Sequence, residues 1–354
     1  MKPKPIVVML MCCLCSVLVS VLVLACAQQG AGRTSTAPAS GKVYAIGDMP
    51  WPEVDALGRD KTLFLLTVGM LEEHGPHLPV SSDTIAVEYE ARLAAGRLSR
   101  ALPDWNVVVM PTLNYGSSGA NQVGNIAIHA GTYGLRQSTL RSLLADIGGQ
   151  IAQNRFKWIF VLNGHGAPTH STAANEACDF VSEVFNITML NVSALFMADP
   201  AIQSRGEALT SKHFSPADVS SFGTDAHAGV GETSGMLAIR PDLVRSTYRS
   251  LPSYRVGSIG ESRDVAQKPG WLGYFSSPAR ADAAYGRDIE TWWVEGMTDL
   301  ILQAVRGEDL FTRSRWPRPL ENDPAYGQVV EDVLAPEREF ELRFDRWLGQ
   351  RRKE

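Results

Sequence analysis

Short apolar runs alternate along the chain with longer amphipathic stretches, and this alternation predicts an α/β domain with a largely parallel sheet. Within each run almost every residue is apolar, which is typical of strands that are buried on both faces. Polar, glycine-rich loops follow them, and open α/β sheets bind ligands outside the carboxyl ends of their strands. The predicted strands are Thr62–Gly69, Asn106–Met110, Trp158–Leu162 and Ile187–Val192.

Between these runs, apolar residues recur at three- and four-residue spacing, the period of an amphipathic helix. Asp83 is a suitable N-cap for a helix that continues to Leu102, because aspartate side chains accept hydrogen bonds from the first free N–H groups of a helix. Leu135–Phe156 and Asp288–Val305 are further predicted helices.

Residues 1–27 read as an export signal, because Lys2 and Lys4 precede an apolar run from Ile6 to Ala25. Three outcomes remain open. The segment can be cleaved after the A-x-A pattern that ends at Ala27, it can stay as a membrane anchor, or Cys26 can be lipidated after a lipobox-like sequence. We favour lipidation. All three predict a domain outside the cytoplasm, at the periplasmic face, with membrane attachment only through this end.

Residues 28–42 are small, polar and rich in Pro, Gly and Ser, as in a flexible linker. A single domain is predicted for residues 43–310, and residues 311–354 form a charged C-terminal extension that packs on the body or a neighbouring subunit, or stays solvated. The formal net charge of −5 and the lack of basic clusters before the terminus argue against nucleic-acid binding. Cys178 is the one cysteine after the signal region, so no intramolecular disulfide is expected in the domain.

The segment EEHGPHLPVSSD, residues 72–83, follows the first predicted strand. Glu72 and His74 are two residues apart, so in extended backbone they project to the same side while Glu73 faces away. Asp83 lies where the next helix is predicted to begin, after a turn that brings it back towards Glu72 and His74. Two carboxylates and an imidazole that converge predict a divalent metal site in which Asp83 can bridge two ions.

Two later loops carry similar chemistry. NGHG places His165 between glycines directly after a strand, which makes it a candidate ligand. GTDAHAGVGETS contains His227, a candidate general acid/base that Asp225 or Glu232 would orient. Glu232 also has a structural explanation, because a carboxylate is favoured at a helix N-terminus.

These three segments resemble the creatininase (creatinine amidohydrolase) family of metal-dependent hydrolases. Its members carry, in the same order, a Glu-Gln-His-Gly-Pro-His stretch that ends in an aspartate, an Asn-Gly-His-Gly segment and a His-Ala-Gly-x-x-Glu-Thr-Ser segment. The chain has LEEHGPHLPVSSD, NGHG and HAGVGETS. The resemblance implies a three-layer α/β/α sandwich, a binuclear site for Zn, Mn or Fe, a small-molecule substrate and a homo-hexamer.

The resemblance also implies a ligand set. One ion would be held by Glu72, Asp83 and His165, and the second by His74 with the bridging Asp83. The family's further glutamate ligand falls at Ala167 here, so Glu232 is the candidate replacement, in addition to a catalytic role beside His227. Residues expected to support the ligands or to contact substrate are His77, Asp225, His129 and Asn125.

The substitutions at Ala167 and Ala226, where relatives have other residues, make creatinine itself a poor candidate substrate. The expected reaction is hydrolysis of a C–N bond in a small cyclic amide, formamide or peptide-like amide. Two alternatives stay open: hydrolysis of a sugar-derived ketone or lactone at the same site, and a non-catalytic lipoprotein that binds a ligand at the envelope.

Overall fold

The computed structural model describes residues 41–124 and 129–352. The predicted signal peptide, almost all of the linker and Asn125 lie outside these residues. The elements of the described chain are strands β1 (Lys42–Ala45), β2 (Thr62–Val68), β3 (Asn106–Val109), β4 (Trp158–Asn163) and β5 (Thr188–Asn191), and helices α1 (Trp51–Asp55), α2 (Ser82–Ala101), α3 (Gln137–Gln153), α4 (Pro168–Phe185), α5 (Val192–Ala198), α6 (Pro200–His213), α7 (Pro216–Phe222), α8 (Val230–Ile239), α9 (Ile259–Ala266), α10 (Ala283–Val305) and α11 (Tyr326–Arg351).

The five strands form one parallel sheet in the order β1-β3-β2-β4-β5. Alternate residues of β2 point to opposite faces. Leu63 and Leu65 pack with α2 and α10 on one face, while Phe64 and Leu66 pack with α3 and α4 on the other. This confirms the three-layer α/β/α sandwich, and the two central strands, β2 and β4, bring the motif-bearing loops to one edge of the sheet.

Some predicted boundaries were wrong. Asp83 does not cap α2: the helix begins at Ser82 after the N-cap residue Ser81, so Asp83 lies within the first turn. Its carboxylate is therefore free to face the neighbouring loops. Helix α10 begins at Ala283, before the predicted Asp288, because Asp282 caps it by accepting hydrogen bonds from two backbone N–H groups. Strand β1 begins at Lys42, inside the predicted linker.

The C-terminal extension packs on the body and also presents a solvated face. Oε2 of Glu337 in α11 accepts a hydrogen bond of 2.8 Å from the backbone N–H of Gln137, at the start of α3. The aromatic side chains of Phe340, Phe344 and Trp347 are exposed on the same helix. Among residues 41–124 and 129–352, no helix combines the length and apolar character needed to cross a membrane.

Candidate metal centre

The loop after β2 is shaped by Gly75, whose φ of +62° lies in the left-handed region that favours glycine. The loop closes on itself through a hydrogen bond of 2.8 Å from the N–H of Glu72 to the carbonyl of Val80. Nδ1 of His74 lies 3.0 Å from the carbonyl oxygen of Glu72, which fixes that nitrogen as the donor. Nε2 of His74 faces Oδ1 of Asp83 at 3.0 Å. Burial acts to lower the pKa of this imidazole, but Asp83 raises it well above its usual range, so Nε2 carries a proton where a cation would bind.

Asp83 stands between two imidazoles. Its Oδ1 lies 3.0 Å from Nε2 of His74, and its Oδ2 lies 3.0 Å from Nδ1 of His165. All three side chains are buried. The two oxygens of one carboxylate therefore face two different potential ligand sets.

His165 reaches Asp83 because β4 ends in a tightly held loop. The Asn163 side chain brackets the His165 backbone: its Nδ2 donates to the His165 carbonyl at 2.6 Å, and its Oδ1 accepts from the His165 N–H at 3.0 Å. Gly164 lies against the start of α2, where a Cβ would be 2.3 Å from the carbonyl oxygen of Asp83. Glycine is required at this close approach.

Glu232, in the first turn of α8, lies at the mouth of the site. Its Oε2 is 3.6 Å from Nε2 of His74 and accepts a hydrogen bond of 2.5 Å from the N–H of Ala228. Desolvation raises the pKa of the Glu232 carboxyl, although solvent screening limits that shift because 44% of the side chain is exposed.

The ligand atoms form three groups of three, and within each group all atoms lie within 4.8 Å of one another. Two of these groups share Asp83, as predicted for a bridging carboxylate. The groups are Glu72–Asp83–His165, His74–Asp83–Glu232 and Glu72–His74–His227.

These residues fit divalent cations. Among the described residues, Oε2 of Glu72 and Oδ2 of Asp83 are buried without a well-formed hydrogen bond, although each lies 3.0 Å from Nδ1 of His165. A cation about 2.1 Å from each of three such atoms would satisfy all of them, and ligands around one ion are about 3 Å apart. Mixed imidazole and carboxylate ligands suit Zn, Mn or Fe.

The charges of the centre support cation binding. Burial acts to raise the pKa of Glu72, but His227 and His165 lower it to about 2. Burial likewise opposes ionisation of Asp83, but His74 and His165 keep the pKa of that carboxyl well below its usual range. Burial acts to lower the pKa of His165, and the two carboxylates raise it to about 10. The two acids are anionic at neutral pH, and the proton on His165 occupies the position that a cation would take.

The orientation of His227 differs from the prediction. Neither Asp225 nor Glu232 holds it; instead, Nε2 of His227 lies 2.7 Å from the backbone carbonyl oxygen of Glu73 and donates to it. Nδ1 then carries the lone pair, 3.8 Å from Oε1 of Glu72. Burial lowers the pKa of His227 to about 4, so the imidazole is neutral.

The remaining predicted residues lie around the centre rather than in its ligand groups. Nε2 of His77 is 2.9 Å from Oγ1 of Thr233 and links the first loop to α8. Oδ2 of Asp225 accepts a hydrogen bond of 2.5 Å from the N–H of Gly231, so this carboxylate binds the N-terminus of α8. Nε2 of His129 lies 3.0 Å from the carbonyl oxygen of Trp271.

Two contacts in the site were missed from the sequence. The N–H of Ala120 donates a hydrogen bond of 2.5 Å to Oε1 of Glu72, which makes the loop after β3 part of the centre. Glu73, predicted to face away, lies outside the ligand groups but is buried, with Oε1 4.0 Å from Nε2 of His227. The glycine-rich sequence before Ala120 was the available signal for the first contact.

Comparison with known proteins agrees with this geometry. The family model described as "Creatininase: Creatinine amidohydrolase" matches residues 47–301, which is more than half of the chain. The chain belongs to the creatininase family. It is 30% identical over 282 residues to the mycofactocin precursor peptide peptidase of Mycobacterium ulcerans (strain Agy99), an alignment that covers 76% of this chain and 96% of that protein. It is 28% identical to the creatinine amidohydrolase of Pseudomonas putida, with 73% and 96% covered.

Solved structures of creatininases have the same fold. A crystal structure of creatinine amidohydrolase superimposes with a TM-score of 0.54 at 27% identity, over 76% of this chain and 100% of that chain. Two similar structures are described as a Zn-Zn type mutant creatininase and as creatininase Mn, each with a TM-score of 0.54 at 26% identity and with 75% and 99% covered. Family membership and these neighbours support divalent metal binding and hydrolysis of amide bonds.

Proposed function

We propose that the protein hydrolyses an amide C–N bond at a binuclear metal centre. The observation that carries this proposal is the position of Asp83, whose two oxygens each complete a separate group of potential ligands. One ion would be held by Glu72, Asp83 and His165, and the other by His74, Asp83 and Glu232. The chemistry that such ions supply is polarisation of the scissile carbonyl and activation of a water molecule.

The protein's own residues would orient the substrate and move the proton. The Nε2–H of His227 donates a hydrogen bond to the Glu73 carbonyl, so Nδ1 is the atom that would accept a proton from the attacking water. Nδ1 would then return that proton to the leaving nitrogen. Because His227 is held by a backbone carbonyl, its acceptor nitrogen keeps one orientation through the reaction.

Glu232 is proposed as the ligand that replaces the family glutamate missing at Ala167. Its Oε2 lies beside Nε2 of His74, on the exposed side of the centre. Glu232→Gln should reduce binding at the His74 side while the Glu72–Asp83–His165 group keeps its ion. Calorimetric titration of the metal-free protein with Zn²⁺ or Mn²⁺ tests this, and two unchanged binding events would contradict the assignment.

The substrate class is proposed from the relatives. A 30% identical relative is described as a peptide peptidase, and a 28% identical one as a creatinine amidohydrolase. We therefore propose a short peptide or a small cyclic amide as the substrate. Metal-loaded protein should be assayed against short peptides, cyclic amides, formamides and sugar lactones, with Asp83→Asn as the inactive control. Activity on lactones alone would remove the amidase proposal, and no turnover of any class by metal-loaded protein would favour a non-catalytic binding role.

Export is proposed from residues 1–27, with lipidation at Cys26. Labelling of the wild-type chain by radioactive palmitate, absent in Cys26→Ser, is the expected result. Equal label in both chains, or label in neither, would exclude lipidation at this cysteine.

A homo-hexamer is proposed from the family resemblance, and light scattering of the purified domain tests it.

A further inference from the structure

Trp316 joins the C-terminal extension to the loop that carries His165. It lies outside residues 47–301, the part of the chain that matches the family model. Its indole Nε1–H donates a hydrogen bond of 2.8 Å to the carbonyl oxygen of Gly166, the residue next to His165. An element beyond the matched family region therefore contacts the loop that carries a proposed metal ligand, His165.

The segment around Trp316 is itself firmly attached. The Trp316 N–H donates to the carbonyl of Ala194 at 2.8 Å, and its carbonyl accepts from Nδ2 of Asn175 at 2.8 Å. The preceding residue, Arg315, forms a bidentate pair with Asp179 of α4, with both N–O distances at 2.8 Å. Bidentate guanidinium–carboxylate pairs fix geometry as well as charge. The indole is thus presented to Gly166 from a base on α4 and α5.

The residues on the C-terminal side of the loop offer few polar groups of their own. Asn163 holds both backbone polar groups of His165, but within the described part of the chain it forms no hydrogen bond with Gly166. The next positions, Ala167 and Pro168, offer no polar side chain, and proline has no N–H to donate. Trp316 supplies a hydrogen bond to the Gly166 carbonyl that these residues cannot supply.

We propose that Trp316 is a positioning residue for the metal centre. By holding the Gly166 carbonyl, it keeps Nδ1 of His165 at 3.0 Å from both Glu72 Oε2 and Asp83 Oδ2. This inference rests on the metal centre proposed above, but it is independent of the substrate. The C-terminal extension then supports the geometry of the proposed metal centre through the Gly166 carbonyl.

The first test is Trp316→Phe, which keeps an aromatic ring and removes the N–H. Zn²⁺ affinity of the metal-free protein, measured against a competing chelator, should fall about two- to tenfold, the change that loss of one hydrogen bond produces. The matched control is Trp292→Phe, because the Trp292 indole also donates to a backbone carbonyl, that of Ile202, at 3.2 Å, and that contact is not in the His165 loop. The control should bind Zn²⁺ as the wild type does.

Equal Zn²⁺ affinity in Trp316→Phe and wild type would overturn the positioning role while leaving the metal centre intact. A wild-type chain that binds no divalent ion would overturn both proposals. An equal loss of affinity in Trp316→Phe and Trp292→Phe would also overturn it, since the effect would then follow from general destabilisation.

A second measurement keeps the tryptophan in place and is decisive if Trp316→Phe does not fold. 5-Fluorotryptophan is inserted at position 316 alone, and its fluorine resonance is followed as Zn²⁺ is added. The resonance should shift because the indole is hydrogen-bonded to Gly166, the residue after His165. The same label at Trp51, which is 78% exposed on α1, should not shift. A resonance at position 316 that does not respond to Zn²⁺ would contradict the proposal.

Discussion

Oδ2 of Asp83 lies 3.0 Å from Nδ1 of His165, although Asp83 belongs to the first turn of α2 and His165 to the loop after β4. This contact depends on Gly164, where the start of α2 and the end of β4 come together too closely for a side chain. The backbone of one loop thus sets the distance between two proposed ligands. The same contact makes the centre sensitive to a single methyl group.

Gly164→Ala should disrupt both stability and metal binding. The added Cβ would lie 2.3 Å from the carbonyl oxygen of Asp83, so the loop must move. Overpacking of this kind costs about 1–3 kcal/mol of unfolding free energy. Gly58→Ala is the matched control, because no atom lies within 4 Å of its added Cβ. Urea denaturation and Zn²⁺ titration measure the two effects, and equal results for both variants would argue against the close approach.

Asp83→Asn should abolish binding of both ions, because one carboxylate serves two ligand groups. Glu72→Gln should mainly weaken the ion beside His165. Bound metal per chain, measured by elemental analysis after dialysis, separates these results. Glu88→Gln, on the same helix α2, should keep full occupancy. An Asp83→Asn protein that retains two ions per chain would rule out the bridging role.

His227→Asn should retain its metal and lose turnover. The proposed proton transfer through Nδ1 is the kind of step that contributes about 10²- to 10⁴-fold to a rate, so kcat should fall in that range. His213→Asn serves as the control, because His213 pairs with Asp288 through Nε2 at 2.9 Å and belongs to none of the ligand groups. Loss of bound metal in His227→Asn would instead assign His227 to the third ligand group, with Glu72 and His74.

The central strands could be predicted from sequence because burial on both faces makes their residues almost uniformly apolar, as in Phe64 and Leu65 of β2. Strand β1 was missed, since its four residues lie at the sheet edge and are mostly exposed. Helix α6 was missed because Ile202 is its one buried residue, which leaves no apolar period to detect.

The clustering of the proposed ligands could be predicted from sequence to the extent that it is local. Glu72, His74 and Asp83 lie within twelve residues, so the strand, turn and helix of one segment bring them together. Two hydrogen bonds of the site join residues about 150 positions apart: His227 to the Glu73 carbonyl, and Trp316 to the Gly166 carbonyl. Such contacts involve backbone carbonyls, which carry no sequence signal.

A buried pair of acids predicts a pH-dependent stability that is separate from the metal centre. Glu90 of α2 and Glu290 of α10 are both 6% exposed, and Oε2 of Glu290 has no hydrogen-bond partner among the described residues. Burial raises the pKa of Glu290 to about 8. Burial also raises the pKa of Glu90, and the neighbouring Glu290 raises it further.

Glu290→Gln should therefore stabilise the protein more at pH 8 than at pH 5. As pH rises from 4.5 to about 8, the unfolded chain releases a proton that the folded chain retains, so the wild-type carboxyl lowers the free energy of unfolding across this window. At about 1.4 kcal/mol per pKa unit, the effect is on the order of a few kcal/mol. Thermal melts at several pH values measure it.

The control is Glu295→Gln. Glu295 lies on α10, as Glu290 does, and its substitution removes a partly exposed ion pair with Arg97 of α2, so it should show no such pH trend. A gain for Glu290→Gln that is the same at pH 5 and pH 8 would show that Glu290 is ionised in the folded protein, because a carboxyl charged in both states does not change stability with pH.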